Sequence, residues 1–162
     1  MRLFLIRHAQ AGDRQPGNRD LYRPLTGKGR RRALALVDLL GDAGISKVLS
    51  SPATRCVETV EPLAEHLGLE IEEQPDLWEG SSTPHVLALL ERQGDHAIAA
   101  CSHGDIIPEV VEALGDLGAS IEGRGCEKGS VWILDRDGER WTAAVYLDRS
   151  RDQLPDQLRP HR

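Results

Sequence analysis

The sequence predicts an α/β fold, a three-layer α/β/α sandwich with a mostly parallel sheet of about six strands and helices on both faces. Short apolar runs alternate with longer segments of helical periodicity, the pattern of right-handed strand–helix–strand units. The 162 residues suffice for one domain, and 40% hydrophobic with 28% charged residues is an ordinary globular balance. We expect a domain over residues 1–148 and a tail over 149–162.

Six short apolar runs are the candidate strands. They occupy residues 3–6, 47–50, 70–73, 97–101, 130–134 and 142–147. The last two runs flank the segment DRDGER, whose Asp137-Gly138 pair is typical of a tight turn. The sequence therefore predicts a hairpin at the end of an otherwise parallel sheet.

The first two helices lie between the first three runs. A stripe of apolar residues predicts a helix over about 27–43, with Thr26 as its N-cap. The second follows the segment SSP and closes at Gly68. Pro62 lies inside it and is expected to kink it or split it in two, because proline removes a backbone donor and clashes with the preceding turn.

Two further helices follow the third and fourth runs. Thr83 is the expected N-cap of the third helix, with Pro84 at its first position. The fourth begins near Asp105, where an aspartate that opens a helix is typical of an N-cap, and Pro108 is tolerated within its first turn.

Charge, hydropathy and cysteine spacing exclude several classes of protein. The net charge of −6 opposes a broad nucleic-acid or anionic-membrane surface. No segment nears the ~20 apolar residues of a membrane span, and the first run is too short for a signal peptide, which predicts a cytoplasmic protein with no membrane partner. Cys56, Cys101 and Cys126 lack C-x-x-C spacing and are interpreted as reduced structural thiols.

The stretch 149–162 has the composition of a chain terminus. It carries four arginines, two aspartates and two prolines, a net charge of +2. A frayed, solvated tail is favoured, and packing of Leu154 and Leu158 on the body of the domain is the alternative.

Cationic side chains follow three of the predicted strands. Arg7 and His8 end the first strand, Arg55 lies one turn into the helix after the second, and His103 follows the fourth. The carboxyl ends of parallel strands share one edge of a sheet, where ligands bind in open α/β folds. Because guanidinium groups match phosphate oxygens, these residues predict a pocket for a phosphoryl group.

Histidines offer two roles in such a pocket, a neutral imidazole that attacks phosphorus and an imidazolium that donates hydrogen bonds to phosphoryl oxygens. The competing interpretation is a metal site that combines the histidines with Cys101 and Asp105. The flanking arginines would repel a divalent cation, so neither a metal nor another cofactor is predicted.

Four segments, LIRHAQAG, RPLTGKGRRRA, SSPATRCVET and CSHGD, together resemble the histidine phosphatase superfamily, the phosphoglycerate mutase-like or RHG group. The resemblance covers about residues 2–147 and implies the phosphoglycerate mutase-like fold. It also implies that His8 is the nucleophile that becomes phosphohistidine, and that Arg7, Arg55 and His103 hold the phosphoryl group.

The resemblance further implies an acidic proton donor on the loop after the third strand. Glu79, in the segment PDLWEGS, stands at the matching place. Asp105 is the rival donor, and Asp76 is a weaker one. An exposed loop glutamate without a catalytic role is the alternative for Glu79.

Four positions are candidate substrate contacts. Gln10 is the second residue after the proposed nucleophile, where such sequences vary. Arg14 falls where many relatives carry an asparagine that contacts phosphate. Trp78 either faces the substrate or covers the rim of the pocket, and Asp105 contacts substrate if it is not a helix cap.

The resemblance implies a metal-independent phosphatase that hydrolyses a phosphomonoester or phosphohistidine through a phosphohistidine intermediate on His8. Mutases of the family shield that intermediate with an insertion, but only 47 residues separate Arg55 from His103 here. An open site and hydrolysis are therefore favoured over a phosphoglycerate mutase-type transfer.

Two subgroups compete within the family. The short length and the segment RPLT are similar to SixA-type phosphohistidine phosphatases. RPLTGKGRRRA, PLAEHLGLEI and KGSVWIL are similar to the histidine phosphatase domain that follows a Nudix domain in some actinobacterial proteins. The expected partner is accordingly a phosphorylated small molecule or a phosphohistidine protein, with no nucleic acid, and the oligomeric state is not predicted.

Two other classes of function stay open at this point. One is a phosphate-binding regulatory module that has lost turnover, and the other is a structural α/β interaction domain. The second would leave the cations at the strand ends unexplained.

Overall fold

The computed structural model describes residues 1–160 of the chain. Its strands are β1 (Arg2–Arg7), β2 (Lys47–Ser50), β3 (Ile71–Glu73), β4 (Ala97–Ser102), β5 (Ser120–Glu122), β6 (Val131–Asp137) and β7 (Arg140–Leu147). Its α-helices are α1 (Gly27–Leu40), α2 (Thr54–Leu67), α3 (Thr83–Glu91) and α4 (Ile107–Asp116). None of the helices within this range is long and apolar enough to cross a bilayer.

The strands form one mixed, mostly parallel sheet in the order β3-β2-β4-β1-β6-β7-β5. The pairs β1–β4, β2–β4, β2–β3 and β5–β7 are parallel, whereas β1–β6 and β6–β7 are antiparallel. The predicted hairpin joins β6 to β7, and Gly138 in its turn has a positive φ of 58°. The α/β fold class is confirmed.

Helices cover both faces of the sheet because the side chains of the central strand alternate between two cores. Phe4 and Ile6 of β1 pack with residues of α1 and α2, and Leu3 and Leu5 pack with residues of α3 and α4. All four side chains are fully buried. The buried central strand thus explains why the sequence LFLI is apolar at every position rather than at alternate ones.

The sheet has one strand more than expected. β5 is three residues long, pairs only with β7 in the described part of the chain, and is exposed along its whole length. Its sequence, SIE, is too short for its alternation to predict a strand, so its pairing follows from the course of the chain after α4.

The first two helices differ from the prediction in extent and continuity. Thr26 caps α1 as expected, since its hydroxyl accepts a hydrogen bond from the Gly29 amide at 3.1 Å, but α1 ends at Leu40. α2 is one continuous helix with Pro62 inside it, so the predicted split is wrong. Burial of its apolar face against the sheet holds the helix together across the proline.

The caps of α3 and α4 also differ from the prediction. Ser82, not Thr83, caps α3 by accepting a hydrogen bond from the His85 amide, which leaves Pro84 at the second position. α4 begins at Ile107, and Asp105 does not cap it. The carboxylate of Asp105 accepts instead from the backbone amide of Gly80 on a neighbouring loop, at 2.9 Å.

The tail packs on the body of the domain as far as the structure describes it. Leu154 and Leu158 are buried in the same core as α1 and α2. The side chain of Arg2 donates to the Leu158 carbonyl at 2.8 Å and pairs with Asp135 at 2.7 Å. The expectation of a frayed tail is therefore wrong for these residues, and its last two positions, 161 and 162, lie outside the described residues.

Candidate active site

Parallel pairing brings the predicted site residues to one edge of the sheet. Arg7 at the end of β1 lies opposite Ser102 at the end of β4, and Ser50 of β2 lies opposite Cys101. The rings of His8 and His103, which follow β1 and β4, are 5.5 Å apart between centroids. The three strand ends therefore meet as the sequence indicated.

His8 is held as a neutral imidazole with one free nitrogen. Its Nδ1 lies 2.8 Å from the Ala9 carbonyl oxygen. Because a carbonyl only accepts, Nδ1 carries the proton and Nε2 keeps its lone pair. Burial, together with the nearby His103, Arg55 and Arg7, lowers the pKa of His8 to about 3, although the hydrogen bond to the Ala9 carbonyl acts in the opposite direction. The arrangement suits an uncharged nucleophile.

Arg55 lies at the bottom of the site and is completely buried. One terminal nitrogen donates to the Asp20 carbonyl at 2.9 Å, and the other donates to Glu79 Oε1 at 2.6 Å. A buried guanidinium needs such partners, because an unpaired charge loses its hydration. Its Nε has no partner among the described residues.

His103 is fixed on both sides of its ring. Its Nε2 lies 2.8 Å from the Ser51 hydroxyl and 3.5 Å from the Cys56 sulfur. Its Nδ1 faces the Arg55 guanidinium at 3.4 Å. The indole of Trp78 meets the ring edge to face, with centroids 5.2 Å apart.

Glu79 contributes one oxygen to the centre of this cationic group. Its Oε1 lies 2.6 Å from Arg55, 3.5 Å from His103 Nδ1 and 3.6 Å from Arg14. The side chain of Glu79 is one-quarter exposed and that of Arg14 is three-quarters exposed, so solvent reaches the site from this side. The place that this oxygen occupies is one that an anionic oxygen of a ligand would also favour.

Arg7 lines the site from the end of β1. It donates to the Cys126 carbonyl at 2.6 Å, and its buried Nε has no partner among the described residues. The guanidinium lies directly against the backbone of Gly104, where an added Cβ would stand 2.6 Å from Arg7 Cζ. The segment CSHGD therefore needs glycine at position 104 so that Arg7 keeps this place.

Two of the candidate substrate contacts hold the surrounding loops. Asp105 supports the loop that carries Glu79, through its bond to the Gly80 amide. Gln10 is exposed, and its backbone carbonyl and side-chain oxygen both accept hydrogen bonds from Thr26 at the start of α1. In this structure, Asp105 and Gln10 stabilise loops at the rim.

Sequence reasoning missed Asp20, which organises the cations. Its carboxylate accepts from the Gln15 amide and from Arg23 Nε, each at 3.0 Å, and lies 3.5 Å from Arg55. Burial would raise the pKa of Asp20, but these contacts lower it on balance. The only signal in the sequence was an aspartate three residues before an arginine, which is far too common to single out.

Thr59 and Cys56 of α2 were also missed. The Thr59 hydroxyl accepts from the Ala9 amide at 2.9 Å and donates to the Arg55 carbonyl at 2.6 Å, so it ties the His8 loop to α2. Cys56 and Cys101 are buried free thiols. Burial alone would raise the pKa of Cys56, but hydrogen bonding to Cys101 and His103 and the nearby charge of Arg55 lower it. A threonine four residues after Arg55 was the available signal for the first contact.

No group of three or more histidine, cysteine, aspartate or glutamate side chains within residues 1–160 is placed to hold a metal ion. The sheet edge brings together two arginines, Arg7 and Arg55, two histidines, His8 and His103, and the carboxylate of Glu79. Fold and site together define an α/β protein with a cationic pocket at the carboxyl edge of its sheet.

The pattern of the histidine phosphatase superfamily (branch 1) matches residues 3–83, half of the chain. The chain belongs to this superfamily. It is 32% identical over 155 residues to an 8-oxo-(d)GTP phosphatase of Mycolicibacterium smegmatis, in a match that covers 90% of this chain and 47% of that protein. The chain thus spans about half the length of this relative.

Solved structures show the same fold. The protein histidine phosphatase SixA complexed with tungstate has a TM-score of 0.72 at 22% identity, and the match covers 90% of this chain and 97% of that one. An α-ribazole phosphatase from Shigella flexneri has a TM-score of 0.71 at 18% identity, over 92% of this chain and 97% of its own.

Proposed function

We propose that this protein is a metal-independent phosphatase that hydrolyses a phosphomonoester or a phosphohistidine through a phosphohistidine intermediate on His8. The observation that carries the proposal is the state of His8. Its Nδ1 proton is engaged by the Ala9 carbonyl, and its burial keeps it uncharged, so Nε2 has a free lone pair beside the cations of the pocket.

In the first step, His8 Nε2 attacks phosphorus, and the bond from phosphorus to the leaving group breaks. Arg7, Arg55 and His103 stabilise the charge on the phosphoryl oxygens. The phosphoryl oxygens replace Glu79 on Arg55, which frees the glutamate to act on the leaving group. In its acid form, Glu79 gives its proton to the departing oxygen or nitrogen.

In the second step, water attacks the phosphohistidine. Glu79, now a carboxylate, accepts a proton from the water, and the bond from phosphorus to Nε2 breaks. Inorganic phosphate leaves, and His8 returns to its neutral form. The exposure of Arg14 and Glu79 supports hydrolysis over transfer to a second substrate, because water reaches this side of the pocket.

The chemistry is the same for either substrate class. The relative named 8-oxo-(d)GTP phosphatase supports a phosphorylated small molecule as substrate, since its similarity extends over 90% of this chain. The fold likeness to SixA supports a protein phosphohistidine. Both substrates would give the same intermediate on His8.

A trapping experiment tests this proposal. The protein is incubated with radiolabelled phosphoramidate, quenched in alkali without acid, and digested for mass spectrometry. We expect the label on the peptide that contains His8, and none in the variant His8→Asn. His85→Asn is the matched control, because that histidine is exposed on α3.

Three results would count against the proposal. One is label on another residue, and another is turnover of an aryl phosphate by His8→Asn at the wild-type rate. The third is tight phosphate binding by the wild type with neither label nor turnover, which would identify a regulatory module.

A further inference from the structure

A cleft of about 330 Å³ opens beside the proposed active site. We call it the ring cleft, and it is lined by Gly17, Asn18, Leu21, Pro52, Pro75 and Trp78. None of these side chains is charged. The cleft is therefore chemically unlike the neighbouring group of Arg7, His8, Arg55, Glu79 and His103, which we call the phosphate pocket.

Three lining residues of the ring cleft adjoin residues of the phosphate pocket. Trp78 contacts His103 edge to face at 5.2 Å and lies 5.6 Å from Arg55 Cζ. Leu21 directly follows Asp20, whose carbonyl accepts from Arg55. Pro52 directly follows Ser51, whose hydroxyl lies 2.8 Å from His103. The ring cleft therefore lies next to the side chains that would hold a phosphoryl group.

We propose that the ring cleft binds the leaving group of the substrate, and that this leaving group is a nucleoside. The inference rests on the proposed phosphatase function and names the substrate class of that same site. Hydrolysis of a nucleoside 5′-monophosphate breaks the bond between phosphorus and the ester oxygen. The oxygen takes a proton and leaves with the nucleoside, and water supplies the oxygen of the inorganic phosphate.

The shape and chemistry of the walls favour a flat heteroaromatic ring. An indole and two prolines give rigid apolar surfaces, on which the π-face of a base stacks favourably. The amide of Asn18 can both donate to and accept from the polar edge of a base. A sugar phosphate without a base has no flat π-face to stack on these apolar walls.

The size of the ring cleft separates a nucleoside from smaller rings. Its volume lies at the lower end of the roughly 300–1,000 Å³ that is typical of small-molecule sites. The imidazole of a phosphohistidine would fill only part of it. A base with its ribose fits the space and links directly to the phosphate.

The test compares substrates that differ only in the base. We expect kcat/KM for the best of AMP, GMP, CMP and UMP to exceed that for ribose 5-phosphate by about 10-fold or more, the gain of stacking one base. Asn18→Trp fills the ring cleft with a bulky side chain at an exposed position. It should remove this preference, while the neighbouring Arg19→Trp, outside the cleft, should keep it.

The remaining outcomes separate the two proposals. If phosphoramidate labels His8 but the nucleotides have no advantage over ribose 5-phosphate, or if Asn18→Trp keeps the advantage, the ring-cleft proposal is wrong and the phosphatase proposal stands. A phosphohistidine peptide that is hydrolysed faster than every nucleotide also overturns the ring-cleft proposal. If phosphoramidate leaves no label on His8, both fall together.

Discussion

At the scale of single residues, the buried imidazole of His8 links the proposed chemistry to acid stability. Its pKa is about 3 in the folded protein and 6.5 for an unburied histidine. Between these values the unfolded chain binds the additional proton, so stability is complete above pH 6.5 and is lost as the pH falls towards 3. From pH 7.5 to 5 the loss attributable to His8 is about 2 kcal/mol.

Urea unfolding at pH 7.5 and pH 5 measures this effect. We expect His8→Asn to lose about 2 kcal/mol less than the wild type between the two pH values. The baseline stability of the variant does not matter, since only the difference between the pH values is compared. The exposed His85→Asn serves as the control and should lose as much as the wild type. Equal losses in all three proteins would show that His8 is not a buried neutral histidine.

Glu79 and Asp105 are the two candidate proton donors, and one experiment distinguishes between them. Glu79→Gln should reduce kcat on alkyl phosphates by about 100-fold or more, and on 4-nitrophenyl phosphate by much less, because a good leaving group needs little protonation. Asp105→Asn keeps an oxygen that accepts from the Gly80 amide and should leave both rates close to wild type. The reverse pattern would make Asp105 the proton donor.

The sequence could identify some site residues and not others, for a physical reason. Arg7, His8 and His103 are fixed by the ends of β1 and β4, so the strand pattern locates them. Asp20 reaches Arg55 only because the chain between β1 and α1 folds back over the pocket. No periodic pattern in the sequence predicts the path of this loop. Contacts made by loops are set by tertiary packing rather than by local pattern.

At the scale of elements, α1 packs against the loop after β1 through a glycine. A Cβ at Gly29 would stand 2.0 Å from the carbonyl oxygen of Gln10, whereas one at Gly27 meets nothing nearer than the Arg31 side chain at 3.7 Å. Both glycines lie in the first turn of α1. The close approach holds the segment that follows His8.

We therefore expect opposite effects from two chemically identical substitutions. Gly29→Ala should destabilise the fold by about 1–3 kcal/mol through overpacking against backbone, and it should reduce activity by moving the His8 loop. Gly27→Ala should change stability by less than about 1 kcal/mol, in the stabilising direction, since alanine favours a helix. Thermal unfolding and turnover of an aryl phosphate measure both effects. Equal stability of the two variants would contradict the close approach.

The elements predicted correctly from the sequence are those whose burial gives a continuous apolar run. β1 and β4 are buried along nearly their whole length and appear as apolar runs. β5 follows from the path of the loop after α4, and the cap of α3 rests on a single hydrogen bond to Ser82. Asp105 bonds to the Gly80 amide instead of capping α4. Neighbouring polar residues could make such single bonds equally well, so the sequence does not identify the one that forms. Here a choice between Ser82 and Thr83 rests on geometry that only the folded chain defines.

At the scale of the whole molecule, the chain between residues 148 and 160 closes the core that α1 and α2 form with the sheet. The short helical turn Asp156–Leu158 places Leu158 in this core. The side chain of Arg2, at the start of β1, donates a hydrogen bond to the Leu158 carbonyl. The two ends of the described chain are thereby joined. Stability of the domain should depend on residues that the sequence alone assigns to a solvated tail.

Three leucine-to-alanine variants test whether the tail belongs to the fold. Leu154→Ala and Leu158→Ala should each destabilise the protein by about 2–4 kcal/mol, because each leaves a cavity in a closed core. Leu34→Ala removes an equal side chain that is 61% exposed on α1, and should change the free energy of unfolding by less than about 0.5 kcal/mol. Urea unfolding of the 162-residue chain measures all three. If the tail variants unfold at the same urea concentration as Leu34→Ala, the tail does not contribute to the core in solution.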